Sequence, residues 1–259
     1  MTRLSKQQYA DLAQDSYENR VVTPANKTLL IGGNHYRVLA VHKNPTTDYQ
    51  GVVYQDVRTN EVVAHRGTSS LMDAKVDLKM VIHKANIQAE DAAKLTMLAL
   101  KEADKFHNKH PEQSQPRITQ VGHSLGGTLA QIQSYRFKQE GVTFNAYGAA
   151  ALNGIPKGGD KVINYALASD VVSAAGPHYG KMVILAQNHE LMGMWAAGYN
   201  TSINTFASQA TPAALINWWS HSISNFTGSK SILSERNYRP ALELAERNKK
   251  MIDDYRGDV

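Results

Sequence analysis

The sequence contains no cysteine, and this absence excludes several kinds of site. Without a thiol there is no disulfide bond, no thiolate nucleophile and no cysteine-ligated zinc. The His-Glu-x-x-His pattern of zinc hydrolases is also missing from the chain. We therefore expect no cofactor and no catalytic metal, while the sequence leaves a calcium site open.

Long apolar runs are absent as well. The first residues, Met1 to Tyr9, lack the apolar core of a secretory signal peptide. No other stretch is long and apolar enough for a transmembrane helix. We expect a protein that is cytoplasmic at synthesis, with any export following a route that needs no cleaved signal.

Charge and composition are those of a packed globular protein. The 259 residues are 42% apolar and 20% charged, and 28 basic against 23 acidic residues give a net charge of +5. The basic residues are scattered and are not interleaved with aromatic ones, so we expect no nucleic acid partner. No segment repeats at a fixed period, which favours one domain over residues 1–259.

The order of elements predicts an α/β fold. Ser5 is the predicted cap of a helix that continues to about residue 19, and four short strands follow it at 28–31, 36–42, 51–56 and 61–65. Apolar spacing then predicts alternating helices and strands: helices at 88–107, 125–138 and 239–255, and strands at 117–121, 142–147, 161–166 and 182–186. This alternation indicates a doubly wound, mostly parallel central sheet flanked by helices.

The most specific motif is Gly-His-Ser-Leu-Gly-Gly at residues 122–127. It lies between a predicted strand and a predicted helix, where a nucleophile elbow holds a serine in a strained turn. Gly122 and Gly126 allow the helix to pack tightly on the strand. The turn is expected to lift the Ser124 hydroxyl above the sheet, with the amide of Leu125 pointing to where an oxyanion forms.

Two blocks of the chain resemble the class 3 (fungal-type) lipase family of α/β-hydrolases. One block is residues 122–127, and the other is the segment 62–70 containing His65-Arg66-Gly67-Thr68, followed by Asp73 and Asp77. The resemblance covers roughly residues 52–226. It implies an α/β-hydrolase fold, a serine hydrolase activity on fatty-acyl esters, and Thr68 as the second oxyanion donor beside Leu125.

A serine nucleophile needs a base that is oriented by an acid, and in this fold class the chain order is Ser, acid, His. Asp170 follows a predicted strand and matches the position of the family's acid, whereas its rival Asp160 precedes that strand. Three histidines follow Asp170, and they are His178, His189 and His221. The His-Ser-Ile-Ser-Asn-Phe block that begins at His221 resembles the base segment of some bacterial lipase-like proteins, so His221 is the favoured base.

His123 lies beside the nucleophile in the motif. The geometry of the elbow points its side chain away from the Ser124 hydroxyl. We expect it to pack beneath the turn.

A region of unusual composition follows the last predicted strand. Residues 191–229 contain no Asp, Glu, Lys or Arg, and all three tryptophans lie within them. We predict a lid-like insertion at about residues 187–220, in which Met194, Trp195 and Trp218 contact an acyl chain. Tryptophan favours the boundary between water and lipid, and methionine adapts to irregular packing. The alternative is a helical insertion that only packs on the sheet.

The predicted activity is that of a lipase or phospholipase A, with a lipid or phospholipid substrate at a membrane surface. Residues 4–13 resemble the start of some bacterial lipase-type effectors, which implies membrane phospholipid as substrate and a cognate immunity protein as partner. Other activities remain open on the same fold: a short-chain carboxylesterase, an acyltransferase, or a catalytically dead hydrolase-fold binding protein.

Overall fold

The computed structural model describes residues 3–57, 61–66, 78–150, 152–199 and 219–257. The strands of the described residues are β1 (Leu29–Ile31), β2 (Asn34–Asn44), β3 (Tyr49–Asp56), β4 (Glu61–His65), β5 (Ile118–His123), β6 (Glu140–Phe144), β7 (Gly158–Leu167) and β8 (Tyr179–Leu185). The α-helices are α1 (Lys6–Asp15), α2 (Leu78–Lys109), α3 (Leu125–Phe137), α4 (Val171–Ala174), α5 (Asn188–Ala196), α6 (Glu235–Arg247) and α7 (Lys249–Gly257). The same described residues also contain 3₁₀ turns at Leu152–Gly154 and Ile223–Phe226.

The eight strands form one sheet in sequential order from β1 to β8. Strands β1 to β4 pair antiparallel, and the four pairings from β4 to β8 are parallel. The predicted α/β architecture is therefore present. The strand order does not reverse, so the doubly wound topology predicted from the alternation is wrong. Each crossover instead connects a strand to its immediate neighbour in the sheet.

Two apolar cores cover the two faces of the sheet. Along β3, Val52 and Tyr54 belong to one core and Val53 to the other, because successive side chains of a strand point to opposite faces. Helices α2 and α3 cover one face. On the other face, α1, the 3₁₀ turn Ile223–Phe226 and α6 contribute the packing residues. This second layer comes from the two ends of the chain.

The start of α1 has the predicted cap. The backbone amide of Gln8 donates to Ser5 Oγ over 3.2 Å, and the Ser5 amide donates to Gln8 Oε1 over 3.0 Å. This reciprocal pair satisfies two amides that have no partner within the helix. The helix ends at Asp15, four residues earlier than predicted.

Several predicted boundaries differ from the structure for local reasons. Strand β6 ends at Phe144, because Asn145 takes a positive φ of 43° that no strand continues through. The single helix predicted at 239–255 is two helices. Asn248 separates them, and its side-chain amide donates to the Leu244 carbonyl over 2.9 Å. Helix α2 begins at Leu78, ten residues before the prediction.

The carboxyl ends of the parallel strands lie at one edge of the sheet, where sites of α/β folds form. Ser124 follows β5, Asp170 follows β7 and α5 follows β8 at this edge. No helix among the described residues is long and apolar enough to cross a membrane.

Candidate active site

Ser124 sits in a strained turn between β5 and α3. Its backbone has φ 56° and ψ −128°, a conformation that non-glycine residues rarely adopt. A Cβ atom on Gly122 would lie 2.2 Å from the Gly126 carbonyl, and one on Gly126 would lie 2.1 Å from the His65 carbonyl. The two glycines are thus required because α3 passes so close to β4 and β5. The turn has the geometry that the motif predicts for a nucleophile elbow.

Ser124, His221 and Asp170 form a hydrogen-bonded series. The distance from Ser124 Oγ to His221 Nε2 is 2.9 Å, and that from His221 Nδ1 to Asp170 Oδ1 is 2.8 Å. The Asp170 carboxylate only accepts hydrogen bonds, so Nδ1 carries the proton and Nε2 is free to accept from the serine hydroxyl. All three residues are buried. The arrangement has a hydroxyl, a base and an orienting acid in the order that acyl transfer requires.

Asp170 is held in its ionised form. Burial by itself raises the pKa of this carboxyl, but His221 and two hydrogen bonds from Ser173 outweigh burial, so the pKa lies below its usual value. One of these bonds is a helix cap, in which the Ser173 amide donates to Asp170 Oδ2 over 2.9 Å. The acid is therefore fixed by α4 on one oxygen and by His221 on the other.

The rival acid and the rival histidines lie elsewhere. Asp160 is exposed near the start of β7, and His189 is exposed in the first turn of α5. His178 is buried, and its Nε2 donates to the Ser173 carbonyl over 2.8 Å. Burial lowers the pKa of His178 to about 4, so this ring is neutral at ordinary pH.

Of the two predicted oxyanion donors, Leu125 lies within the described residues and Thr68 does not. Leu125 is the first residue of α3, and the first amides of a helix have no partner in its own ladder. The same end of the helix carries the positive end of its dipole. Thr68 lies outside the described residues, so its predicted role stays a prediction.

His123 anchors the segment that carries His221. Its Nε2 donates to the His221 carbonyl over 2.7 Å, and its Nδ1 accepts from the Tyr17 hydroxyl over 2.9 Å. Burial, together with the nearby His221, lowers the pKa of His123 to about 3. The ring is thus neutral. It lies beside the His221 imidazole, with 4.9 Å between the ring centroids, and it fixes the backbone of His221.

The C-terminal helix α7 holds the segment around Asp170. The Arg256 side chain is half-buried, and its guanidinium donates to the Ser173 carbonyl over 2.7 Å and to the Leu167 carbonyl over 3.2 Å. The Tyr255 hydroxyl donates to the Ser169 carbonyl over 3.0 Å. Burial lowers the pKa of Arg256, and the charge of Asp170 opposes this shift. The sequence gives no local signal for these contacts, because they join residues more than 80 positions apart.

The three predicted substrate residues have different surroundings. Met194 is 2% exposed and packs with Ile252 and Tyr255 in a third core, and its predicted contact with an acyl chain stays a prediction. Met194 is buried because one face of α5 is covered by α7. Trp195 is 62% exposed on α5. Trp218 lies outside the described residues.

No cluster of three or more His, Asp or Glu side chains with the geometry of a metal site occurs in the described part of the chain.

Comparison with solved structures finds lipases of low sequence identity. A triacylglycerol lipase from Penicillium expansum is 16% identical, with a TM-score of 0.43 over 69% of this chain and 77% of that chain. Lipase II from Rhizopus niveus is 17% identical, with a TM-score of 0.42 over 65% and 72%. The mono- and diacylglycerol lipase from Aspergillus oryzae is 18% identical, with a TM-score of 0.38 over 65% and 70%.

Sequence comparison gives a family. The search of curated proteins found no match. The family model described as Tle-like phospholipase domain matches residues 1–215. Since this match spans well over half of the chain, the protein belongs to the Tle-like phospholipase domain family and is a lipid ester hydrolase.

Proposed function

We propose that the protein is a phospholipase A-type serine hydrolase in which Ser124, His221 and Asp170 act as a catalytic triad. The observation that carries the proposal is the series of two hydrogen bonds, 2.9 Å from Ser124 Oγ to His221 Nε2 and 2.8 Å from His221 Nδ1 to Asp170. Family membership supports the substrate class, a phospholipid.

The geometry supports a two-step acyl transfer. Ser124 Oγ attacks the ester carbonyl while His221 Nε2 takes the hydroxyl proton, and the negative charge of Asp170 stabilises the imidazolium that forms. The Leu125 amide and, by prediction, Thr68 hold the oxyanion. The C–O bond of the ester then breaks, and His221 gives its proton to the departing alcohol. Water, activated by His221, hydrolyses the acyl-enzyme in the same way.

The test is fatty-acid release from phosphatidylethanolamine and phosphatidylglycerol vesicles. Ser124→Ala is expected to lower kcat/KM by at least about three orders of magnitude, as is usual when a triad nucleophile is removed. A fluorophosphonate probe is expected to label the wild type and not the variant. Ser229→Ala, at an exposed serine, is the control and is expected to retain full activity. Unchanged activity in Ser124→Ala would contradict the proposal.

Exposed apolar side chains near the site support contact with a lipid surface. Met192 and Trp195 on α5 are 71% and 62% exposed, and Trp219, two residues before His221, is 80% exposed. Tryptophan side chains favour the headgroup region of a bilayer. We expect Trp195→Ala together with Trp219→Ala to weaken vesicle binding while hydrolysis of a soluble nitrophenyl butyrate is retained. Equal vesicle binding by the double variant and the wild type would exclude these residues as the membrane contact.

Chain-length preference distinguishes the remaining activities. A lipase or phospholipase prefers long acyl chains, and a short-chain carboxylesterase prefers butyrate esters. An acyltransferase is recognised by transfer of the acyl group to an added alcohol in place of water. A dead hydrolase fold is recognised by the absence of fluorophosphonate labelling at Ser124.

The resemblance of residues 4–13 supports a role as an antibacterial effector with a cognate immunity protein. Such an effector damages membranes in the compartment where its substrate is accessible. Expression in the periplasm and in the cytoplasm of a test bacterium, each with Ser124→Ala as control, measures this. Growth inhibition by the wild type alone is expected, and inhibition in neither compartment contradicts the effector role.

A further inference from the structure

A second set of buried polar residues runs parallel to the triad. Ser169 immediately precedes Asp170, and Ser220 immediately precedes His221. The Oγ atoms of these two serines lie 2.5 Å apart, and both serines are buried. The segments that carry the acid and the base are therefore joined twice, once between Asp170 and His221 and once between the residues before them.

This second connection ends on a buried carboxylate. Glu190 Oε1 accepts from the Ser169 hydroxyl over 2.7 Å and from the Ser169 amide over 3.0 Å, and Oε2 accepts from the Gln187 amide over 2.8 Å. Burial raises the pKa of Glu190, and the hydrogen bonds from Ser169 and Gln187 oppose that rise. The two carboxyl oxygens of Glu190 thus face three hydrogen-bond donors, and this environment favours an ionised carboxylate.

The direction of the hydrogen bonds follows from their end point. An ionised carboxylate only accepts hydrogen bonds, so the Ser169 hydroxyl uses its single proton to donate to Glu190. The Ser220 hydroxyl must then donate to Ser169 Oγ for the 2.5 Å contact to be a hydrogen bond. The direction Ser220 to Ser169 to Glu190 is thereby fixed, and neither hydroxyl is free to rotate toward another acceptor.

Both ends of this series are attached to rigid parts of the fold. Glu190 is in the first turn of α5 and closes a capping box with Gln187. At the other end, Asn145 Nδ2 donates to the Ser220 carbonyl over 2.6 Å, and Asn145 Oδ1 accepts from the Leu167 amide over 2.9 Å. The two serines therefore lie between α5 and the ends of β6 and β7.

We propose that Glu190, Ser169 and Ser220 form a clamp of positioning residues that sets the separation of Asp170 and His221. The inference rests on the proposed triad. The clamp does not touch substrate. It acts by holding the backbone on the amino-terminal side of both the acid and the base, which keeps the imidazole within hydrogen-bond distance of Ser124.

The first test is kinetic. Ser169→Ala and Ser220→Ala each break the clamp, so kcat on a soluble nitrophenyl butyrate is expected to fall about tenfold with KM nearly unchanged. Because the two serines act as one unit, the double variant is expected to lose no more than either single variant. Losses that multiply in the double variant, or an unchanged kcat in both single variants, would overturn the clamp.

The matched control is Ser134→Ala. Ser134 is buried on α3, and its hydroxyl donates to the Glu140 carbonyl over 3.3 Å, away from the acid and base segments. Its replacement is expected to lower the free energy of unfolding and to leave kcat unchanged. A fall in kcat as large as that of Ser220→Ala would mean that any lost buried hydroxyl has this effect, and would contradict positioning.

The second test is spectroscopic and does not depend on turnover. In proton NMR spectra, the Nδ1 proton between His221 and Asp170 gives a resonance downfield of the amides. This resonance is expected to shift upfield or broaden in Ser220→Ala and in Glu190→Gln, and to stay in place in Ser134→Ala. An unchanged resonance in both clamp variants would overturn the proposal.

The outcomes separate the clamp from the triad. If Ser124→Ala retains activity, the proposed triad fails whatever the clamp variants show. If Ser124→Ala is inactive while Ser169→Ala and Ser220→Ala match the wild type in kcat and in the downfield resonance, the triad stands and the clamp fails.

Discussion

At the scale of single residues, the site depends on buried polar groups that each have a defined partner. His123 is an example, because its ring joins the Tyr17 hydroxyl to the carbonyl of His221. A neutral ring has one donor and one acceptor, and both are used. In the proposed acyl transfer, a cation at this place would repel the imidazolium that forms on His221. The low pKa of His123, about 3, prevents such a cation at working pH.

We predict that His123→Leu lowers stability and rate, whereas His123→Gln retains much of both. The leucine removes one hydrogen bond from the buried His221 carbonyl and one from the half-buried Tyr17 hydroxyl, which costs about 1–3 kcal/mol of unfolding free energy. The glutamine amide keeps a donor that reaches the His221 carbonyl. Urea unfolding and nitrophenyl butyrate hydrolysis measure the two effects. Equal rates for both variants would show that the bond to His221 does not contribute to catalysis.

At the scale of elements, the elbow depends on close contact between α3 and the strands beneath it. A Cβ at Gly126 would overlap the His65 carbonyl oxygen at 2.1 Å, and the carbonyl carbons of His65 and Arg66 would both lie 2.8 Å from it. The helix has to move away from β4 to relieve this contact. Such a displacement moves the first turn of α3, which carries the amide of Leu125.

Gly126→Ala is therefore expected to cost at least about 3 kcal/mol of unfolding free energy and to abolish activity. Gly257→Ala, at the end of α7 with no atom near its added Cβ, is the comparison and is expected to be neutral. Thermal unfolding and fluorophosphonate labelling test both variants. A folded, fully labelled Gly126→Ala protein would contradict the packing described for the elbow.

Helix α7 is the second element on which the site depends, through Arg256. Its planar guanidinium reaches the carbonyls of Leu167 and Ser173 at the same time. A lysine ammonium lacks this fork, so the conservative replacement does not restore both bonds. Arg256→Lys is expected to lower kcat and the melting temperature. Wild-type kcat in Arg256→Lys would show that α7 does not position the acid.

At the scale of the whole molecule, three buried histidines couple folding to pH. Burial is the main cause that lowers the pKa of His65 to about 4, of His123 to about 3 and of His178 to about 4. In the unfolded chain each ring titrates near its ordinary value of about 6.5. Between these values the unfolded state binds more protons than the folded state. Stability is therefore complete above about pH 6.5 and falls as the pH decreases toward 4.

Each buried histidine contributes a slope of about 1.4 kcal/mol per pH unit in that range. We expect urea midpoints to fall steeply from pH 7 to pH 5, with net proton uptake on unfolding. Asp11 and Glu190 have raised pKa values and oppose this trend only where their own carboxyls titrate. His178→Asn is expected to flatten the pH dependence. A midpoint that is constant from pH 7 to pH 5 would contradict the buried, neutral state of these rings.

Local features were predictable because they are encoded within a few residues. The cap at Ser5, the strand, turn and helix around Ser124, and the α/β order of elements all follow from spacing and glycine placement. Boundaries were less predictable. Asn145 and Asn248 end their elements through a backbone angle and a side-chain bond that propensities do not encode.

The sequence by itself determined the nucleophile turn and reduced the acid to two candidates and the base to three. Only the tertiary structure brought one of each to the serine, because the contacts join residues 51 and 97 positions apart. They form once the sheet places β6 between β5 and β7. The same holds for Glu190, Ser169 and Ser220, and for Arg256. Their roles depend on being buried next to one another. The free energy of a buried hydrogen bond is set by the partner that folding brings to it, and the spacing of residues along the chain does not reveal that partner.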